Sequence, residues 1–156
     1  MIWKRKHLAM MPGLFWISFH LAIALLPQDR GMELGLSRDT VISKGDSITV
    51  TVTNHTHTLQ YFMLSLSAKS DTGWKRLASD IHGLFSKDHW APRRLMAGGQ
   101  HSVVLSLREV LRLAPSSANR LRIVLVYSDN NFLPGKQYGR EIREIALKLN
   151  RRERNW

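Results

Sequence analysis

The chain has 156 residues, with 23 lysines and arginines against 12 acidic residues, a net charge of +11 and no cysteine. The lack of thiols excludes a disulfide framework, thiolate metal sites and cysteine nucleophiles, and a hydrophobic share of 44% belongs to a folded chain rather than a disordered one. The basic excess favours anionic neighbours by long-range attraction without choosing among them.

Lys4-Arg5-Lys6 opens the chain, ahead of an apolar run from Leu8 to Leu26 that Pro12, Gly13, Ser18 and His20 interrupt. The run closes on Ala22-Ile23-Ala24, a small-x-small pattern suited to signal peptidase. Residues 1–24 are therefore expected to be a signal peptide cut after Ala24 or, if retained, an N-terminal membrane anchor helix with residues 8–26 in the bilayer. Positive charge before an apolar run keeps that end in the cytoplasm and sends the downstream chain outward. The body is thus expected to be exported: periplasmic, extracellular, or anchored and facing outward. A start at Met32 is the competing expectation and leaves a leaderless cytoplasmic protein. Residues 25–37 read as a linker.

Beyond it, Ser47 to Thr53 alternates strictly, with Ile48, Val50 and Val52 on one side and hydroxyls on the other. That is the pattern of a half-buried strand with a wet outer face, introduced by the Lys44-Gly45-Asp46 turn. Tyr61 to Ser67 comes next, with Phe62, Leu64 and Leu66 as its inward set. Residues 68–100 alternate weakly and read as a long connection holding an edge strand from Trp74 to Ala78. Val103, Leu105 and Leu107 resume the alternation after Gly98-Gly99, and Arg108 to Leu113 suits a single helical turn. Leu121 to Tyr127 is apolar on both sides, which predicts a central strand. Glu141 to Leu149 suits the return arm of a hairpin, although Ile142 breaks step with Ile145, Leu147 and Leu149 and calls for a bulge or a short helix. Residues 151–156 form a basic tail.

Short strands separated by turn residues predict an all-β, two-sheet antiparallel β-sandwich over residues 38–150. With Trp74, the Gly98-Gly99 turn and Tyr127 at the end of the penultimate strand, the order resembles immunoglobulin-like and fibronectin type III-like modules. The chain departs from them in having no inter-sheet cysteine pair. The resemblance implies an architecture and a class of modules that bind proteins, sugars and envelope components, not a particular function.

Few residues suggest chemistry. His55 and His57, at i and i+2, would project from one side of an extended segment, with Asp80, His82, Asp88 or His89 as a third metal ligand. The spacing matches no zinc pattern, so the pair reads as polar turn residues. Ser79 and Ser86 lie near Asp80, His82, Asp88 and His89, yet neither sits in a nucleophile elbow and no oxyanion loop is present. No catalytic residue and no cofactor is assigned. Asn54-His55-Thr56 matches a glycosylation acceptor. Trp74, Trp90, Arg93, Arg94 and Arg122 are the binding-surface candidates, and the hydroxyl side formed by Thr49, Thr51 and Thr53 is an alternative. The function expected is that of an exported, non-enzymatic binding module for a protein or an anionic envelope polymer. Two alternatives stand beside it. One is a small metal-dependent or hydrolytic enzyme using His55, His57 and the 80–89 segment; the other is a cytoplasmic nucleic-acid accessory protein starting at Met32. Nucleic acid is not an expected partner of an exported chain.

Overall fold

In a strand, successive side chains point to opposite faces of the sheet, so each apolar alternation marks one inward face. The computed structural model describes residues 31–81, 91–134, 136 and 138–150. Their elements run β1 (Met32–Leu36), β2 (Thr40–Val41), β3 (Ser47–Asn54), β4 (Gln60–Ser70), β5 (Gly73–Ala78), β6 (Arg93–Leu95), β7 (Gln100–Ser106), α1 (Leu107–Leu113), β8 (Arg120–Ser128) and β9 (Gly139–Leu147). One sheet has the order β1-β3-β7. The larger has the order β2-β9-β8-β4-β5, with β6 also paired to β4. The chain is all-β and two-sheeted, with the expected single helical turn as α1.

The core lies between the sheets. Ile48, Val50 and Val52 of β3 oppose Phe62, Leu64 and Leu66 of β4 and Leu121, Ile123 and Leu125 of β8, all essentially without exposure. Each such side chain contributes about 1.5–3 kcal/mol when fully buried. Strand β8 runs between β4 and β9, the central position its two-sided apolar sequence predicts. Helix α1 buries Leu107, Val110 and Leu111, spaced i, i+3 and i+4, and closes one end of the core. Leu107 thus enters the core from the helix, not as the last residue of a strand.

Two features differ from the sequence expectation. Met32–Leu36 falls within the stretch read as a linker, yet it forms β1 on β3 with Met32 and Leu34 fully buried. Met32, Leu34 and Leu36 do alternate inward, but the run is only five residues long, follows Gly31 and has Gly35 in its outer phase, so it reads as a linker. The chain then changes sheets: β2 pairs in parallel with β9, and the Ala146 and Lys148 amides donate to the Asp39 and Val41 carbonyls at 2.8 Å each. The second difference concerns Ile142. Pairing of β9 with β8 is continuous from Gly139 to Ala146, without bulge or helix. Ile142 lies on the outer side of β9, opposite Val124, so its phase reports a second apolar surface instead of an irregularity.

The leader and the tail, residues 1–24 and 151–156, lie outside the described residues. No helix among the described residues is long and apolar enough to cross a membrane.

Candidate binding face

The register of the larger sheet sets out its outer face row by row. Lys69 of β4 stands beside Trp74 of β5 and Arg120 of β8, and Ser67 stands beside Arg76 and Arg122, with Glu144 of β9 next to Arg122. The next rows carry Ser65, Val124 and Ile142, then Met63, Val126 and Arg140. The last row carries Arg94 of β6, Tyr61 and Ser128. An apolar centre of Met63, Val124, Val126 and Ile142 is therefore bounded along the strands by cations at both ends. A shallow groove of about 470 Å³ opens over this centre, lined by Met63, Ser65, Arg76, Ser79, Val124 and Val126. A register irregularity between Leu66 and Ser67 leaves Leu77 and Ala78 packed on the core while Arg76 remains exposed on the edge strand.

One corner is tightly organised. The Arg122 guanidinium lies 3.7 Å from the centroid of the Trp74 ring, a cation–π contact. Its Nε and Nη2 both donate to Glu144 Oε1, at 3.0 and 2.6 Å, while Arg120 Nη1 donates to Oε2 at 3.2 Å. The hydrogen bond from Arg122 is the main reason the Glu144 carboxyl is held below its ordinary range. Partial burial opposes it and Arg120 assists it. At the opposite end the Arg94 guanidinium stands 5.6 Å from the centroid of Tyr61.

Of the residues singled out from sequence, Trp74, Arg94 and Arg122 come together on this face. Arg93 does not join them. It pairs with inward-facing Phe62 and so takes the other side of the sheet. Trp90, His82, His89, Asp88 and Ser86 lie outside the described residues. His55 and His57 are both exposed, and His55 Nε2 meets Glu33 Oε2 at 2.7 Å across the β1–β3 pair. Among the described residues no group of three or more His, Asp or Glu is placed to hold a metal ion. Asn54 is fully buried, and its Nδ2 donates to the Thr58, Leu95 and Met96 carbonyls at 2.9–3.0 Å. The acceptor nitrogen of Asn54-His55-Thr56 is thus engaged inside the fold and closed to a glycan.

Sequence reasoning missed Lys69, Arg76, Arg140, Ile142 and Glu144 as members of the face. The available signal was the second apolar set of β8, Val124 and Val126, in phase with Arg122. Which strands flank β8, and in what register, is not written locally.

Fold and face define a class: an all-β, two-sheet domain that presents a cationic sheet face with an apolar centre. No protein-family model matches the chain, and no curated protein matches it. Among solved structures it is similar to the ASH/PapD-like domain (PapD-like domain 7) of human CEP192, at 11% identity and a TM-score of 0.43, covering 96% of this chain and 98% of that one. It is also similar to part of the Pseudomonas fluorescens alkylpurine DNA glycosylase AlkC, at 13% identity and a TM-score of 0.38 over 83% of this chain and 33% of that one. A third likeness is to E. coli alpha-2-macroglobulin, at 19% identity and a TM-score of 0.40, where the match covers 74% of this chain and 6% of that one. At such scores no property of those proteins passes to this one.

Proposed function

We propose that this protein is a non-enzymatic binding module of the immunoglobulin-like class that engages an anionic partner through the outer face of its larger sheet. One observation carries the reading: Lys69, Arg76, Arg94, Arg120, Arg122 and Arg140 share that face against the single carboxylate of Glu144 among the described residues. Glu144 neutralises part of the charge of Arg120 and Arg122. Lys69, Arg76, Arg94 and Arg140 have no carboxylate partner among the described residues. Exposed cations grouped on one surface raise the local concentration of anions and speed their encounter. Export by residues 1–24 belongs to the same reading and makes a protein or an anionic envelope polymer the partner class.

Binding of the purified chain to immobilised polyglutamate and to heparin tests the site. Affinity is expected to fall with added salt, and to fall about tenfold in the double variant R76E/R140E. The control variant K44E/R112E, altered away from the face, should retain affinity. Equal losses in the two variants would reduce the interaction to net charge and remove the site. Mass spectrometry of the mature N-terminus tests delivery: a terminus at Leu25 is expected, and a terminus at Met32 would overturn export.

A further inference from the structure

The face is not uniformly basic, and its order along the strands narrows the partner. The Arg76 and Arg122 row lies at β4 residue Ser67, and the Arg94 row lies at Tyr61 of the same strand. At about 3.3 Å per residue, the two rows stand roughly 20 Å apart. Between them lie Met63, Val124, Val126 and Ile142, with Arg140 beside Val126 on the neighbouring antiparallel strand β9. Val124 forms the floor of the groove at 9% exposure, and Ile142 rises beside it at 39%.

We infer that this face docks an acidic polypeptide segment with an apolar centre and carboxylates toward both ends, lying along the strands of the larger sheet. The inference rests on the proposed function and names its partner. Charge complementarity supplies the ends: carboxylates can meet Arg76 and Lys69 at one, and Arg94 and Arg140 at the other. Apolar burial in the groove supplies the centre, and Ser65 and Ser79 offer hydrogen bonds beside it.

The competing anionic partners each leave part of the face unused. A sulfated or phosphorylated polymer has nothing to place over Met63, Val124 and Val126. Single-stranded nucleic acid binds through bases stacked on open aromatic faces, but Arg122 covers one face of Trp74 and Arg94 stands over Tyr61. An anionic bilayer engages apolar side chains that protrude, whereas Val124 lies on the floor of the groove. Glu144 already holds the geometry a partner carboxylate would take, with Arg122 donating to it twice.

The test uses the full chain and a synthetic peptide with a leucine centre flanked by glutamates. Its controls are a composition-matched peptide with glutamates at the centre and leucines outside, polyglutamate, heparin, oligo-dT and phosphatidylglycerol vesicles. The leucine-centred peptide is expected to bind about tenfold more tightly than its scrambled counterpart, the increment of one well-buried leucine. The isosteric double variant V124T/V126T should abolish that preference, bringing the two peptides to equal affinity. Circular dichroism establishes that the variant is folded. If the two peptides bind equally and both respond to R76E/R140E, this inference fails and the proposed function stands. If neither responds to R76E/R140E, both fail. Tighter binding to vesicles, heparin or oligo-dT than to the leucine-centred peptide also overturns the inference.

Discussion

Asn54 offers the sharpest test of how the domain is held together. At the end of β3 its Nδ2 donates to the carbonyls of Thr58, Leu95 and Met96, and its Oδ1 accepts from the Thr56 amide at 2.9 Å and the Thr56 hydroxyl at 2.7 Å. One buried side chain therefore ties β3 to the end of β6 and the residue beyond it, and so bears on the placement of Arg94. Asn54→Ala removes all of these bonds. The contact with the Leu95 carbonyl is buried, and leaving that group unpaired costs about 1–3 kcal/mol. The part-buried bonds can be taken over by water and are worth about 0.5–1.5 kcal/mol each. Because they share one side chain they do not add, and a total of roughly 2–4 kcal/mol is expected. Urea unfolding followed by tryptophan fluorescence should show a lower midpoint at unchanged slope, and Tm should fall by roughly 10 °C. Asn54→Asp isolates the donor. It keeps the Thr56 contacts but turns an oxygen toward the carbonyls, so it should be worse than alanine at neutral pH. That deficit should shrink as the pH is lowered and the introduced carboxyl protonates. An alanine variant within about 0.5 kcal/mol of wild type, or an aspartate variant more stable than alanine at neutral pH, would refute the reasoning.

Glu144 should leave a pH signature. Because Arg122 depresses its folded-state pKa, the pair's contribution is present above the ordinary carboxylate range and is lost as the pH falls through the lower folded value. The stability difference between wild type and E144Q, under about 1 kcal/mol for a half-exposed pair, should therefore vanish in acid; a difference independent of pH would contradict this. Gly139 lies opposite Tyr127, and a methyl added there would fall within the tyrosine ring. G139A should cost about 1–3 kcal/mol by overpacking, and less in a Y127L background, which a double-mutant cycle measures. R122A removes the guanidinium from the Trp74 ring and should alter tryptophan emission with a loss of about 1 kcal/mol; unchanged emission would place the ring contact in doubt.

The strands with several inward residues were legible because burial enforces period two: Ile48, Val50 and Val52, or Phe62, Leu64 and Leu66, have only one face that can meet the core. Shorter segments escape this logic. Met32–Leu36 is a five-residue run interrupted by Gly35 and Arg93–Leu95 is too short to show a period, and both owe their strand geometry to partners distant in sequence. The face was half legible for the same reason. Arg122 could be assigned outward from its phase on β8. Its meeting with Trp74 and Glu144 depends on β5 and β9 lying to either side in a particular register, a tertiary fact. Ile142 shows how such a fact can be misread, since an apolar residue out of phase with the core signals irregularity only if no second apolar surface exists.

The two outer faces of the sandwich also explain why one is the better candidate for binding. On the smaller sheet Thr49, Thr51 and Thr53 meet Val104, Ser102 and Gln100 across β3 and β7. Thr51 and Ser102 satisfy each other's hydroxyls at 3.2 Å. The shallow depression there, about 320 Å³, has one charged residue in its lining, Glu33, whose carboxylate is held by His55. Apart from exposed Val104, such a surface is at ease with water and offers a partner little that water does not. On the larger sheet, Lys69, Arg76, Arg94 and Arg140, without a carboxylate partner among the described residues, stand beside an apolar groove that water serves poorly, and both deficits are relieved by the same kind of ligand. An anion without apolar groups relieves only the first and an uncharged apolar segment only the second, so the affinity of this face should track the product of the two features in a partner more closely than either alone.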